Sequence, residues 1–410
     1  MNTEIVAIGT ELLLGQIANT NAQRISKSLA DLGISVFFHT VVGDNMERIL
    51  ETLERALSRS DLVIVTGGLG PTPDDITREA VAKLMGVELV RHEHLVKELR
   101  EFFADRGREM PEDNVRQADI PEGAHIIDPV GTAPGFWIEN DGRLLFVLPG
   151  VPWEMDEMLN EAVIPELKER SGDGVIYSHH VLVMGLGESA THHKIRDIVD
   201  AQTNPTIAYL AAWGQVRVRV TARADSEAEA KRLIEPVEQQ IRERLGKHAA
   251  RGNHETIASA LGALLRERNA RIAAAESLTG GLIGEILTET GGSSDYFLGS
   301  LVTYSTDAKH EVAGVDKEIL ETKGAVSEDA ARALAEAAAE RFKADVGVSA
   351  TGVAGPAEQE GKPPGLIYVG ASYKGRTEAR KVRGYGDRTS IRRIAANSAL
   401  DLARRLVEEE

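Results

Sequence analysis

The sequence predicts an α/β fold: two three-layer α/β domains joined by a small α+β segment. Three observations predict it. Strand-like apolar runs alternate with amphipathic helical patterns over residues 1–170 and again over 251–410. Several of those runs end in glycine-rich turns, as ligand-binding open α/β sheets do. The rhythm changes between the two stretches, with breaks at "SGDGVI" (171–176) and "KHAARGNHETIA" (247–258). A chain of 410 residues also exceeds what one ordinary core accommodates. The expected division is therefore 1–170, 171–250 and 251–410.

In the first domain "EIVAIGT" (4–10) reads as a buried strand and "NTNAQRISKSLADLG" (19–33) as a helix capped by Asn19. "VFFHTVVGD" is strand-like and "NMERILETLERALSRS" helical. "DLVIVTGGLG" is strand then glycine loop, and "DDITREAVAKLMG" a helix with acids in its first turn. This alternation predicts a parallel, doubly wound sheet. "FVLPGVPWEM" (146–155) reads as strand, Pro-Gly turn, then a helix with Pro152 in its first turn. Trp153 has two readings, stacking on a base or packing in the core, and packing is preferred.

The middle segment reads as strand and glycine turn in "HHVLVMGLGES", helix in "SATHHKIRDIVDAQ", alternating strand in "QVRVRVTARA", and a helix over 226–246 that Pro236 kinks or splits. From 254 onward come the helix "TIASALGALLRERN", the strand "RIAAAES", later strands in "SLVTYS", "DVGVSATGVAGP" and "LIYVGASYKG", and a basic helix after "GYGDRTS".

Composition excludes several classes. The chain has no cysteine, so disulfides, thiolate metal sites and cysteine nucleophiles are out. Its net charge of −17 argues against broad binding to nucleic acid or anionic membrane, and 4% aromatics leave few platforms for bases. No apolar run approaches the ~20 residues of a membrane helix, and the start lacks the basic region of a signal peptide. A cytoplasmic protein is expected.

In "TGGLGPTPDD" (66–75) Gly67, Gly68 and Gly70 let backbone amides approach a ligand, and the following helix start suits phosphate. Asp74 and Asp75 would repel that phosphate unless a divalent cation lies between; the competing reading is that they only complement the helix dipole. Glu11 and Asn19, after the first strand, face the same crevice in this topology, or Glu11 is simply an exposed acid.

In the last domain Ser277 stands where a strand ends, with Thr279, Gly280 and Gly281 opening a helix. It is either a plain N-cap or a nucleophile whose oxyanion those amides receive. His254 and His310 are the only histidines of this domain, and His254 sits at its border, so a Ser-His-Asp arrangement is hard to build. "LVTYSTDAKHE" offers Tyr304 and Lys309 instead; a desolvated lysine can act as base, while a solvated one is the bland alternative. Thr351 lies at the bend of another glycine turn. Arg388 and Arg392 lie at a helix start, where arginine opposes the dipole; a phosphate or carboxylate ligand explains them, or a surface pair with Asp387.

The motifs "GTELLLGQIANTN", "TGGLGPTPDD", "LPGVPWEM", "GLGES", "AESLTGG", "VTYSTDAK", "GAVSE", "ATGVAGP" and "GDR", in this order, resemble the signatures of the competence/damage-inducible protein A (CinA) family over nearly the whole chain. The loop "AEQEGKPPG" departs from the glycine pair common there. The resemblance implies a C-terminal nicotinamide-nucleotide amidase domain that uses no cofactor. It would deamidate nicotinamide mononucleotide, with Ser277 as nucleophile and Lys309 as base. Tyr304, Ser294, Thr351, Gly352 and Arg388 or Arg392 would shape the pocket. It implies an N-terminal molybdopterin-binding-like fold able to hydrolyse ADP-ribose. There Glu11, Asn19, Gly67, Gly68, Gly70 and Thr72 would hold the nucleotide, and Asp74 and Asp75 a divalent metal (Mg, Mn or Co). The middle segment would be KH-like; its "GLGES" lacks the G-x-x-G clamp of an RNA binder, which leaves a spacer or an element of a homodimer. The alternative is a competence- or damage-linked nucleotide-binding adaptor without turnover.

Overall fold

Six short apolar stretches of the first 150 residues pair into one sheet, and that sheet organises everything before residue 177. The computed structural model describes residues 1–170 and 175–409; four residues of the expected break at 171–176 lie outside the described residues. The chain forms two compact units, Met1–Tyr177 with Arg223–Ala230, and Ser178–Ala222 with Lys231–Glu410.

In the first unit the strands are β1 (Asn2–Ile8), β2 (Ser35–Val42), β3 (Leu62–Thr66), β4 (Leu89–Arg91), β5 (Asp119–Pro121), β6 (His125–Ile127), β7 (Gly135–Asn140) and β8 (Arg143–Leu148). The sheet order is β2-β1-β3-β8-β7-β6, with β4 and β5 forming a separate pair. β2, β1, β3 and β8 are parallel, as the strand–helix alternation requires, but β7 pairs antiparallel with both β8 and β6. The sheet is therefore mixed rather than wholly parallel. Successive residues of one strand point to opposite faces. Val6 and Val63 join one apolar core with Ile49 and Leu53, while Ile5 and Ile64 join another with Ile25 and Leu29. These are the three layers.

The second unit carries β9 (Val175–Met184), β10 (Thr206–Ala212) and β11 (Gln215–Ala224) in the order β10-β11-β9, β9 and β11 each running across the division between the two units. β12 (Ile272–Glu276), β13 (Phe297–Val302), β14 (Val346–Gly352), β15 (Leu366–Tyr373) and β16 (Arg376–Arg383) form a second sheet in the order β13-β12-β14-β15-β16. β13, β12 and β14 are parallel; β15 and β16 are antiparallel. The helix Glu227–Leu245 runs through Pro236 without being split.

Three strands that hydrophobic patterning does not announce, β7, β10 and β16, each belong to a hairpin of the same build. Their two-residue turns are Asp141–Gly142, Trp213–Gly214 and Lys374–Gly375, with φ of 50° and 72°, 48° and 79°, and 47° and 77°. Two consecutive positive φ angles match the right-handed twist of the flanking strands. Only Asp-Gly among the three is a strong signal of such a turn.

The last helix, Arg388–Glu408, packs against β15 and the helix Ile257–Glu267, and from Ala399 to Val407 every residue is buried. Near its end Arg404 and Arg405 are buried and share Asp401, one on each carboxylate oxygen. Their remaining N–H groups reach the carbonyls of Lys247 (3.3 Å) and Met184 (3.2 Å), tying the three-stranded sheet's segment to this module. The helix Glu328–Phe342 covers the opposite face of the second sheet. A Cβ on Gly347 would stand 1.9 Å from the Ala335 carbonyl oxygen of that helix. Gly347→Ala is therefore expected to destabilise the chain by about 2–4 kcal/mol, read as a lowered thermal midpoint.

Candidate active site

The parallel strands β12, β13 and β14 all end at one edge of the second sheet, and the loops that leave them build a site there. β12 carries three consecutive alanines, Ala273, Ala274 and Ala275, and then Glu276, all fully buried. A buried carboxylate needs donors, and Glu276 finds four. Its Oε2 accepts from the amides of Gly281 and Ile283, both at 2.9 Å; its Oε1 accepts from the Gly284 amide at 3.0 Å and the Ser300 hydroxyl at 2.6 Å. Glu276 thereby caps the helix Leu282–Thr288, which begins later than the sequence suggests.

Ser277 caps nothing. Residues 277–281 form a turn rather than the first turn of a helix, and the role of cap belongs to the neighbouring glutamate. The Ser277 hydroxyl instead accepts from Lys309 Nζ at 2.9 Å. Lys309 is 2% exposed and Ser277 8%. The lysine rises from the short helix Thr306–Glu311, and its amine also faces the carbonyls of Thr303 (2.9 Å), Tyr304 and Ser305 (both 3.4 Å). Burial pulls its pKa down to about 8, against a small opposing pull from Glu360. A neutral amine here has two N–H groups for carbonyls and a lone pair for the serine proton. The two histidines stand apart from this pair: His310 bonds the Val315 carbonyl (2.8 Å) on its own turn.

The backbone amides of the turn divide. That of Gly280 donates to Ser277 O at 3.1 Å and that of Gly281 to Glu276, so neither is available to an oxyanion. The amides of Leu278 and Thr279 donate to nothing among the described residues. Arg392 is spent on the same turn: it donates to the carbonyls of Leu278 and Thr279.

Arg388 behaves differently. Asp387 does not pair with it; Asp387 caps the last helix by accepting from the Ser390 amide at 2.7 Å. Arg388 reaches across to the Gly355 carbonyl and to the Tyr304 hydroxyl at 3.0 Å, and its guanidinium stays exposed. An open cleft of about 290 Å³ runs from Ser277 to Arg388, walled by Tyr304, Gly352 and the loop 354–359. Gly352 admits no side chain, since a Cβ would stand 2.5 Å from the Leu366 carbonyl oxygen. Thr351 turns away: it is fully buried and donates to the Ala325 carbonyl at 2.7 Å. Ser294 does not join the site. It precedes β13 at the opposite end of the sheet from Ser277. Glu276, absent from the expected set, was signalled by a lone acid closing a wholly apolar strand.

The first unit places a second crevice at the ends of β1, β3 and β8. Glu11, Asn19, Asn21, Thr66, Gly67 and Gly150 line it. Asn19 also caps the helix Thr20–Asp31 by accepting from the Ala22 amide. The glycine turn beyond it is pinned by one buried arginine and its neighbour. Thr77 bonds the carbonyls of Gly67 and Gly68, and Arg78 those of Leu69 and Gly70. With the carbonyls turned in, the amides of Gly68, Leu69 and Gly70 donate to nothing among the described residues. Asp74 and Asp75 precede the helix Thr77–Met85 rather than lying in its first turn. Both accept from the Thr72 hydroxyl, Asp75 at 2.6 Å. Asp75 also accepts from the Thr72 amide at 2.9 Å and Asp74 is exposed, so the two carboxylates offer hard oxygen donors of the kind a small divalent cation takes. Among the described residues no group of three or more His, Asp or Glu gathers as a self-sufficient metal cage. Trp153 is 54% exposed, not part of the core. No helix among the described residues is long and apolar enough to cross a membrane.

Comparison with known proteins matches this chain along its length. Residues 4–169 match the family model "Probable molybdopterin binding domain", 178–249 the "Damage-inducible protein CinA KH domain", and 254–407 the "CinA C-terminal domain". A CinA-like protein of Kosmotoga olearia is 45% identical over 407 residues, covering 99% of this chain and 98% of that protein. One from Dictyoglomus turgidum is 46% identical over 410 residues, covering 99% of each. Among solved structures, the protein CinA with unknown function from Thermoplasma acidophilum aligns with 40% of this chain and 97% of its own, at 36% identity and a TM-score of 0.37.

The depressed Lys309 pKa has a consequence for folding. Between about pH 8 and 10.5 the unfolded chain holds a proton on this amine that the folded chain has released. Stability from this group therefore rises with pH across that window, by up to about 1.4 kcal/mol per unit. Urea unfolding at pH 8, 9 and 10 should show that slope in the native chain relative to Lys309→Met.

Proposed function

The chain belongs to the CinA family, and from that premise we propose that its C-terminal module hydrolyses the carboxamide of nicotinamide mononucleotide to nicotinate mononucleotide and ammonia. The observation that carries the reading is the 2.9 Å contact between Lys309 Nζ and Ser277 Oγ in a nearly dry pocket. As the Ser277 oxygen attacks the carbonyl carbon, its proton passes to the neutral amine of Lys309. The oxyanion is received by the amides of Leu278 and Thr279. Lys309 returns the proton to the departing nitrogen, which leaves as ammonia. Water then attacks the acyl–serine ester, giving its proton to Lys309; the acyl–oxygen bond breaks, Lys309 returns the proton to the Ser277 oxygen, and the acid is released. Arg388, with the Tyr304 hydroxyl beside it, holds the 5′-phosphate at the far end of the cleft.

In the first unit we propose a site for ADP-ribose hydrolysis. The free amides of the glycine turn and the positive charge of Arg78 beneath it suit a phosphate. Asp74 and Asp75 would hold a divalent metal, Mg, Mn or Co, which neutralises phosphate charge when bound. A homodimer and a spacer role for the KH-like segment belong to the same proposal.

Ser277→Ala should lower ammonia release from nicotinamide mononucleotide by at least about 10⁴-fold while leaving the circular dichroism unchanged. Unaltered turnover rejects the nucleophile. In the native chain kcat/KM should climb with pH and level off above about 8, because only neutral Lys309 accepts the proton. A flat profile between pH 6 and 9 rejects the base.

A further inference from the structure

Four acids in the described residues are buried: Glu4, Glu154, Glu276 and Asp401. Three have donors. Glu4 accepts from Arg59 and Thr40, Glu276 from three amides and Ser300, and Asp401 from two arginines. Glu154, 8% exposed, accepts from none of the described residues. Its Oε1 lies 2.1 Å from where a Cβ on residue 131 would stand, so only Gly131 leaves room for the carboxylate. Neither of its oxygens is among the buried atoms that solvent does not touch. The carboxylate is thus largely enclosed by protein, with its oxygens still touched by solvent.

The helix that carries Glu154 begins at the first unit's candidate site, whose crevice Pro152 lines. Glu154 stands in the first turn of the helix Pro152–Met158, which follows the turn Pro149–Gly150. Gly150 packs against Gly67 of the glycine turn and accepts from Asn21 at 2.8 Å. On the other side, Gly131 adjoins Thr132, whose hydroxyl accepts from Gln117 at 3.3 Å. Gln117 also donates to the Leu69 carbonyl of the same glycine turn. Glu154 is therefore flanked on both sides by segments that touch the loop proposed to bind phosphate. Burial alone, with no neighbouring charge contributing, raises its carboxyl above the usual range. The nearest charged pair on its own helix, Asp156 with Arg24, is directed to the helix Thr20–Asp31.

We propose that Glu154 is the general base of the first unit's site, an assignment that rests on the ADP-ribose hydrolysis proposed above. A water oxygen forms a bond to one phosphorus of the pyrophosphate. The bridging P–O bond breaks, its electron pair leaving on the second phosphate. The water's proton moves to Glu154, and two phosphomonoesters result. An unpartnered carboxylate is poised for this because no internal donor competes for its lone pairs.

The test uses the full chain with ADP-ribose and Mg²⁺, Mn²⁺ or Co²⁺ between pH 5 and 9. Glu154→Gln should cut kcat by about 10²–10⁴-fold, leave KM within about twofold, and remove the acid limb of the pH profile. Glu154→Asp should recover part of kcat. Stability offers a readout independent of turnover. The raised folded pKa means that this acid's contribution falls as pH rises through the carboxylate range, so Glu154→Gln should gain thermal stability over the native chain from pH 4 to 8. Native-like kcat in Glu154→Gln, or a rise in KM alone, overturns the assignment. A native chain that hydrolyses no ADP-ribose with any of these metals overturns the first-unit reading and the assignment together.

Discussion

The chemistry proposed for the C-terminal module depends on an amine placed in a dry pocket with no carboxylate bonded to it among the described residues. Among the described residues Lys309 bonds only the carbonyl oxygens of Thr303, Tyr304 and Ser305 and one hydroxyl. Carbonyl dipoles orient an ammonium but do not neutralise it, so desolvation wins and the pKa drops to about 8. A carboxylate in the same place would keep the lysine charged and useless as a base. Glu276 fixes the backbone beyond the turn, and the Ser277 amide itself donates to the Ala350 carbonyl at 3.0 Å.

Both units place glycine turns at the carboxyl ends of parallel strands, yet they stabilise those turns with opposite charges. In the first unit Arg78 and Thr77 bind the turn's carbonyls, and three successive amides donate to nothing among the described residues. In the second, Glu276 binds the amides at the helix start, and among the described residues the amides of Leu278 and Thr279 donate to nothing. A cation under a turn with its amides outward suits a multiply charged phosphate. An anion that has consumed most amides leaves room for one developing oxyanion. Arg392 reinforces this second turn from the carbonyl side, so Arg388 is the arginine left for a ligand.

The parallel core of each sheet was legible because most of its strands are apolar runs, and the helix cap at Asn19 follows from local chemistry; Asp387, read as a surface partner of Arg388, caps the last helix instead. The antiparallel partners β7, β10 and β16 were not legible. β16, "RTEARKVR", is a polar strand whose pairing with β15 rests on a Lys-Gly turn that is a weak hairpin signal. Trp153 was misplaced for a related reason: hydrophobicity favours burial, but the helix it begins turns that position outward. Ser294 was carried over with its motif neighbours, although the strand that follows it runs the length of the sheet towards the site.

Sequence alone determined the α/β class, the positions of the glycine turns, and the residue types able to react in a chain without cysteine. These are local or compositional properties, readable from periodicity and from what each side chain can do. Only the tertiary structure decided which side chains meet. Ser277 and Lys309 are 32 residues apart and on different strands' loops, and they touch because β12 and β13 are parallel neighbours with their ends in register. The same register gives the buried acid at the end of β12 the role of cap, and releases the serine from it.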